Sequence, residues 1–226
     1  MPKLSLQVAA NADDGYFSQT GSTFSNTALY GFTGIQTAVA YGSFFRFIGV
    51  SGLYRMKVLD ARLTLVYKDD IQGATSALTK LSVELAAAPD APTTAADAQG
   101  RTLTTTKIDW DNPYWVAQSA IASPNFATVI QELVNSYNPT VIQVFHRDDG
   151  SAGGESAMVT HSHNSDPTKA AILDITYVYP SGYVWVEGSE FHVIDENGVE
   201  QIFAATPNIV CYEDAVVCNN DEVVYS

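Results

Sequence analysis

The stretch of residues 43–67 limits the possible folds of this chain more than any other. It holds two largely apolar runs, residues 43–50 and 58–67, joined by a short loop. In the second run every other residue is apolar, and this period of two is that of a β-strand with one buried face. The residues of this run that are predicted to face the core are Leu59, Ala61, Leu63, Leu65 and Tyr67.

The first of the two runs is apolar on both sides. Phe45 and Phe47 share one side, while Phe44 and Ile48 share the other side with Arg46. A strand with two apolar faces needs a cover on each face, so we expect this strand in the middle of a sheet with packed layers above and below it.

The rest of the first 180 residues alternates between short strands and turn-rich loops. Further strands are predicted at residues 3–8, 28–32, 79–87, 101–110, 140–147, 156–163 and 170–179. In the strand 79–87, Leu81, Val83 and Leu85 are expected to face the core, and Lys80, Ser82 and Glu84 to face solvent. Residues 89–100 are rich in Ala, Pro and Asp, and we expect them to form a loop outside the core.

A single helix is predicted, at residues 123–135. Ser123 suits its N-cap, and Pro124 suits its first position, where the missing N–H costs nothing. An apolar stripe at the spacing of one helix face is formed by Phe126, Val129, Ile130 and Leu133.

These elements predict an all-β fold. A parallel α/β sheet needs a crossover helix between successive strands, and this chain offers one helix for about eight strands. We therefore expect an antiparallel jelly-roll β-sandwich with one inserted helix, the helix covering an open end of the sandwich.

A change of composition after Pro180 divides the chain into residues 1–180 and 181–226. The second segment carries nine Asp or Glu and no Lys or Arg, whereas the first carries 16 acidic and 11 basic residues. Alternating runs meet near Glu187 and at the Asn197-Gly198 turn, and Asn-Gly is a strong hairpin signal. We expect a small acidic β-meander in residues 181–226.

The charge and the apolar runs exclude some classes of partner. The net charge of −14, with no cluster of Lys or Arg, argues against nucleic acid as a direct ligand. No run of about 18 apolar residues is present, so no membrane-spanning helix is expected. The first residues lack an apolar segment and include Asp13 and Asp14, so no signal peptide is expected, and the chain is expected to be made in a cytoplasm and to stay soluble.

The two cysteines, Cys211 and Cys218, lie in the acidic segment. In a reducing compartment they are expected to be free thiols in a small β element. The alternative is a disulfide that closes a hairpin after release from the cell. With no histidine nearby they do not form a zinc set.

Four residues are candidate metal ligands. His161 and His163 are two positions apart on a predicted strand and would share one face, but a third ligand is not evident. Asp148 and Asp149 precede a glycine in an acidic turn, as Asp13 and Asp14 do. A structural Ca²⁺ shared between such loops is one interpretation, and ordinary turn chemistry is the other.

Aromatic residues give a candidate contact site. Trp110, Tyr114 and Trp115 could form a platform on which sugar rings stack, or they could pack within the protein. No catalytic motif is present: the sequence has no nucleophile elbow, no Gly-rich phosphate loop and no zinc-protease helix.

Two resemblances add to these observations. The order of FFRFIGV, ARLTLVY, the helix SPNFATVIQELVN and VIQVFHRDDGS resembles the DNRLRE-type jelly-roll domains, relatives of carbohydrate-binding modules that also occur in virion proteins of tailed phages. The tail is similar to a short β module of phage structural proteins, whose pattern is carried here by Trp185, Glu187, Gly188, His192, Asp195, Gly198 and Glu200. Neither family implies a catalytic set.

The resemblances imply a structural protein of a tailed-phage virion, in particular a capsid decoration protein. Such a protein would contact the major capsid protein, form a homo-oligomer such as a trimer and need no cofactor. Candidate partner or glycan contacts are Trp110, Tyr114, Trp115, Trp185, Glu187 and His192. The alternatives are a tail, neck or fibre component and a carbohydrate-binding module for host glycans.

Overall fold

A computed structural model of the chain describes residues 1–68, 77–111, 117–152, 155–187, 190–195, 199–204, 209–212, 215–218 and 223–225. The chain separates into two compact units, Met1–Tyr177 and Val178–Ser226. The sequence places the change between its two segments at Pro180, three residues further along.

The first unit is built mainly of strands. They are β1 (Lys3–Gln7), β2 (Asp14–Ser18), β3 (Phe24–Ser25), β4 (Tyr30–Gln36), β5 (Val39–Ile48), β6 (Lys57–Val66), β7 (Thr79–Val83), β8 (Ile108–Asp109), β9 (Ala120–Ala122), β10 (Val141–Asp148), β11 (Glu155–His161) and β12 (Ile172–Val178). Its helices are α1 (Ala95–Gly100) and α2 (Ala127–Ser136), with 3-10 turns at Asn11–Asp13 and Pro167–Lys169. Neither α-helix of the described chain has the length and apolarity that crossing a membrane requires.

Two sheets face each other in this unit. The smaller has the strand order β1-β12-β6-β9, and the larger has the order β11-β4-β5-β10-β7-β8, with β2 paired to β5 and β3 to β2. Buried side chains of both sheets form a single core between them, including Leu63 and Ile175 from the smaller sheet and Phe45 and Val144 from the larger. The predicted antiparallel β-sandwich is therefore confirmed.

Strand β6 alternates as predicted over most of its length. Ala61, Leu63 and Leu65 are buried in the core, with exposed or half-buried residues between them. The prediction that Leu59 faces the core is wrong: Leu59 is exposed, and Val58 is buried instead. The Asn125 and Gln131 side chains accept hydrogen bonds from main-chain N–H groups in this part of β6, which accompanies the change of phase.

The larger sheet is covered on both faces, as predicted for β5. We call the face toward the smaller sheet the inner face and the opposite one the outer face. Phe45 of β5 belongs to the inner core, and its neighbour Phe44 to a second cluster on the outer face. That second cluster contains Phe17, Phe44, Phe145 and two alanines of α1, Ala95 and Ala98.

The cover of the outer face corrects two expectations. Residues 89–100 are not simply a loop outside the core, because they contain α1 and bury its alanines on the sheet. Ser82 and Glu84 were expected to face solvent and are buried beneath this segment. The alternation of β7 correctly separates its two faces, but it does not reveal that both are covered.

The predicted strand 101–110 is mostly wrong. Only Ile108–Asp109 forms a strand, and Leu103 makes an isolated bridge to Glu84. The main-chain N–H groups of Thr105 and Thr106 donate instead to the Glu132 carboxylate, at 2.7 and 2.9 Å. Because a side chain of α2 satisfies these donors, this part of the chain does not need a neighbouring strand.

Helix α2 keeps the predicted stripe but begins later than predicted. Phe126, Val129, Ile130 and Leu133 are fully buried. The N-cap is Phe126, without a capping side chain, whereas the Ser123 hydroxyl accepts a hydrogen bond from Leu63 N–H at 3.0 Å. Ser123 therefore ties the segment to β6 rather than starting the helix.

The hairpin of β4 and β5 turns through Thr37 and Ala38, which have φ angles of 50° and 64°. Gln36 and Val39 on either side are paired, so the loop has two residues. Two-residue hairpins favour left-handed conformations of this kind, but usually with Asn or Gly. Because neither residue is present, the sequence gives no sign that the strand begins at Val39 rather than near Ser43.

The second unit contains two small sheets. One is the predicted meander, with β13 (Val184–Glu187), β14 (Glu190–Ile194) and β15 (Glu200–Ala204), and the other has β16 (Ile209–Tyr212), β17 (Ala215–Cys218) and β18 (Val223–Tyr225). In the second sheet Cys211 lies opposite Val216, and Cys218 opposite Ile209. The cysteines are therefore not directly opposed, and whether they pair stays a prediction.

Candidate interaction surfaces

The largest group of charged side chains lies on the outer face of the larger sheet. Arg101 donates to Glu84 at 3.1 Å and to both carboxylate oxygens of Asp97, at 2.8 and 3.1 Å. Gln143 of β10 donates to the other Glu84 oxygen at 2.7 Å. Burial raises the pKa of Glu84, and the hydrogen bonds from Arg101 and Gln143 offset part of that effect.

Two further arginines hold the same covering segment. Arg46 donates to the Pro89 carbonyl at 2.8 Å and to Asp13 at 2.7 Å. Arg147 donates to the Ala98 carbonyl at 2.7 Å and lies between the rings of Phe17 and Phe145. Together with Arg101, they hold the segment that contains α1 against the sheet. This cluster of charged side chains is therefore explained by its role in stabilising the fold.

A second polar group surrounds Asp14 at the start of β2. Its Oδ2 accepts a hydrogen bond from the His163 N–H at 2.8 Å, and its Oδ1 has no hydrogen-bond partner among the described residues. Burial raises the pKa of Asp14 from 3.8 to about 7, with the His163 N–H opposing this shift and the nearby Asp13 adding to it. Asp14 is thus a buried carboxyl that titrates near neutrality.

The candidate metal ligands do not come together. His161 ends β11 and contacts Ser165 and Gln118, whereas His163 lies in the following turn and contacts Asn11. The prediction that the two histidines share one strand face is wrong, because the strand stops at His161. Within the described residues no group of three His, Cys, Asp or Glu could hold a metal ion.

The two aspartates of the acidic turn have ordinary roles. Asp148 accepts hydrogen bonds from the Gly150 and Ser151 N–H groups, at 3.1 and 3.3 Å, and Asp149 forms an ion pair with Lys80 of β7. These contacts are those of a turn closed by aspartate.

Trp110 is not a surface ring. It is 3% exposed, belongs to the inner core and stacks on His146, with the ring centroids 4.9 Å apart. The interpretation in which Trp110 forms part of a sugar-stacking platform is therefore wrong, because a buried indole offers no face to a ligand. Tyr114 and Trp115 lie outside the described residues.

The motif residues of the meander are partly structural. His192 is buried and its Nδ1 lies 2.6 Å from Glu200 Oε1. Asp195 Oδ1 accepts a hydrogen bond from the Val199 N–H at 2.9 Å, just before β15. Glu187 is exposed, opposite Glu190 in register, while the Trp185 side chain and the two glycines of the motif are outside the described part of the chain.

The second unit exposes apolar side chains on and beside its edge strand. Val199, Ile202 and Phe203 are 53%, 56% and 50% exposed. Among the described strands, β15 has a neighbour on one side only. We call these three residues the tail-strand patch. Ile202 and Phe203 follow one another on β15 and lie on its opposite faces, so the patch extends around the open edge of the strand. Exposed apolar residues on an open edge are typical of a surface that another chain covers.

The first unit exposes a different surface at one end. Ile48, Tyr54, Arg55 and Tyr137 are exposed there, and the Arg55 guanidinium lies 5.0 Å from the centre of the Tyr54 ring. We call these four residues the loop-end patch. Tyr and Arg are the residue types that most often dominate binding energy at protein interfaces.

Backbone contacts hold the loop-end patch together. The Val50 N–H donates to the Thr140 carbonyl at 3.1 Å, and the Arg55 N–H donates to the Val134 carbonyl at 3.0 Å. Both ends of the 49–55 loop are thus tied to the segment that carries Tyr137. Arg55 itself has a φ of 57°, a conformation that costs a non-glycine residue energy unless its surroundings fix it.

Comparisons with known proteins do not assign the chain to a family. No protein-family model matches it, and no curated protein is significantly similar to it.

Sequence patterns did not point to the surfaces just described. Exposed Ile202 and Phe203 are consecutive residues of a short strand, which period-two alternation does not predict, and Tyr54 and Arg55 sit in a loop without a motif. The separation of an acidic tail was the available signal, and it indicates the unit but not the strand that is exposed.

Proposed function

We propose that this chain is a non-enzymatic structural protein of a tailed-phage virion, and that it decorates the exterior of the capsid. Its partner would be the major capsid protein, its oligomer a trimer, and its location the virion assembled in the host cytoplasm. The role needs no cofactor, no nucleic acid and no membrane.

The observation that carries the proposal is the tail-strand patch in a separate acidic unit. A β-sandwich with its ionisable clusters engaged in internal contacts supplies a stable body, and a second unit with exposed apolar residues supplies a surface for a neighbour. The resemblance of residues 1–180 and of the tail to phage virion modules supports the same role.

A binding experiment with phage heads tests the proposal. Heads assembled without the chain are mixed with the purified protein, pelleted and imaged by electron cryomicroscopy. We expect many copies at symmetry-related positions on the outer surface, and we expect Ile202→Ser to reduce their number. An absence of binding at saturating protein would refute the decoration role.

A tail, neck or fibre component is the second candidate, because it would use the same two units. It predicts few copies, located on tails rather than heads. A carbohydrate-binding module is less well supported now that Trp110 is buried. A signal on a glycan array, lost on substitution of Tyr114 or Trp115, would favour that module.

A further inference from the structure

We propose that copies of this chain associate head to tail, with the tail-strand patch of one copy bound to the loop-end patch of the next. The two surfaces belong to different units, and each is argued from its own exposed residues. The contact can form whether or not the protein decorates a virion. Only the closure of such contacts into a trimer rests on the proposed function.

The opposite charges of the two surfaces favour the pairing of a tail-strand patch with a loop-end patch. The tail segment carries nine acidic residues and no Lys or Arg, so every basic side chain of the protein lies in the first unit. At the loop-end patch, Arg55 and nearby Lys57 are exposed, and neither has a salt bridge to a described residue. The described carboxylates on and beside β15 are Glu190, Asp195 and Glu200, and such groups are natural partners of this cationic end.

The apolar residues match as well. Ile202 and Phe203 are half exposed on the tail strand. In the first unit Tyr54 is exposed under the Arg55 guanidinium, Ile48 is exposed at the end of β5, and Tyr137 is exposed just after α2. A contact between the two patches would bury apolar surface at its centre and place charges at its rim, as in ordinary protein interfaces.

Tail-to-tail association is less favourable. It would bring two segments of nine acidic residues together with no basic side chain between them. The two arrangements respond oppositely to salt: screening weakens an attractive head-to-tail contact and strengthens a repelled tail-to-tail contact.

A contact between two different surfaces is heterologous, and it closes into a ring when the rotation between copies allows it. A ring of three copies would give the trimer of the proposed function, with each copy contributing one patch of each kind. Both surfaces of the proposed interface are therefore present on every copy of the chain.

Sedimentation velocity on the full-length protein, in the absence of phage heads, tests the contact. We expect association that increases with protein concentration and that is stronger at low salt than at high salt. Ile202→Ser should weaken it at least about tenfold, as loss of a central apolar residue does. Leu29→Ser is the matched control, since Leu29 is 54% exposed but belongs to neither patch.

Charge reversal identifies the partners. Arg55→Glu and Glu190→Lys should each weaken association about tenfold, while a mixture of the two variants should restore it, because each reversed surface then meets its complement. Glu190 is chosen because it is exposed and leaves the contact of His192 with Glu200 intact. Lys107→Glu, an exposed charge outside both patches, is the control for net charge.

Three results would overturn the inference: a monomer at every concentration, association that high salt strengthens, or a mixture of the reversed variants that stays dissociated. Each variant is first shown to unfold at the wild-type temperature. Because no phage heads are present, a failure here leaves capsid binding untouched, and failure of capsid binding leaves this contact untouched.

Discussion

The two faces of the larger sheet show how one set of strands can be buried in two different ways. The inner face packs on another sheet and its core is apolar around Phe45. The outer face packs on a short helix and a loop, and there Phe44 shares the surface with buried Glu84 and three arginines. The difference teaches that a short covering segment with small side chains is held by ionic contacts where apolar area is limited.

The largest expected effect on stability comes from removing a large side chain from the inner face. Phe45→Ala should lower the free energy of unfolding by about 3–5 kcal/mol, measured by urea denaturation, because two rigid sheets cannot close the cavity. Phe44→Ala should cost less, since α1 can move toward the sheet. Equal losses for the two neighbours would remove the distinction between the faces. Leu29→Ala, at an exposed position outside both patches, is the control.

The next effect comes from the ionic cover of the outer face. Arg101→Met should cost about 2–3 kcal/mol, because it leaves the Glu84 carboxylate buried without its cation. Adding Glu84→Gln should recover part of this loss, and limited proteolysis should show cleavage near α1 in the single variant alone. Arg62→Met removes an exposed pair with Asp60 and a hydrogen bond to the Ser123 carbonyl, and should cost less than about 1 kcal/mol.

A third prediction concerns the buried carboxyl group on the inner face. Asp14, opposite Phe45 in register, has a folded pKa raised to about 7, so its contribution to stability is present below pH 3.8 and is lost as the pH rises toward 7. Asp14→Asn should therefore be more stable than the wild type at pH 8, by at most about 4 kcal/mol, and equal to it near pH 4.

His146 supplies a control of opposite sign. Burial lowers its pKa from 6.5 to about 3, so its contribution is present above pH 6.5 and is lost as the pH falls toward 3. His146→Gln should reduce the fall of stability in acid, while the loss of its stacking on Trp110 and its contact with Thr79 lowers stability to a similar extent at every pH. If Asp14→Asn gained stability in acid rather than at pH 8, the assigned direction of the Asp14 shift would be wrong.

The smallest effect is expected at the start of α1. The Thr94 hydroxyl accepts a hydrogen bond from the Asp97 N–H at 3.1 Å. Thr94→Ala should cost about 1 kcal/mol, as the loss of an N-cap usually does, and hydrogen exchange should speed up in α1 before the inner strands. An unchanged exchange rate in α1 would mean that the arginines hold the helix without its cap.

The strands of the inner face could be predicted from sequence because their alternation is local. Their spacing along the chain is enough to predict the burial of Leu63, Leu65 and the apolar stripe of α2. Burial of Glu84 could not be predicted in this way, because its cover comes from residues 89–101 and from an ion pair with Arg101, 17 positions away. A charge that alternates with apolar residues looks solvated until its partner is known.

Candidate sites were predicted less well for a related reason. His161 and His163 were placed on one face because the strand was predicted to continue to residue 163, whereas it ends at His161. For Trp110 the sequence left a surface platform and internal packing open, and the residue lies in the inner core. The loop-end patch is assembled by two backbone hydrogen bonds, from Val50 to Thr140 and from Arg55 to Val134, whose partners are 90 and 79 positions apart. Spacing along the chain carries no information on such a contact.

The pairing of β1 with β12 sets Lys3 opposite Thr176, and this matters while the protein is being made. At about 5–20 residues per second, the first strand leaves the ribosome about 10–30 s before its partner exists. During that interval Leu4 and Leu6 have no sheet to join. The nascent chain, rather than the finished protein, is therefore the form most exposed to misassociation.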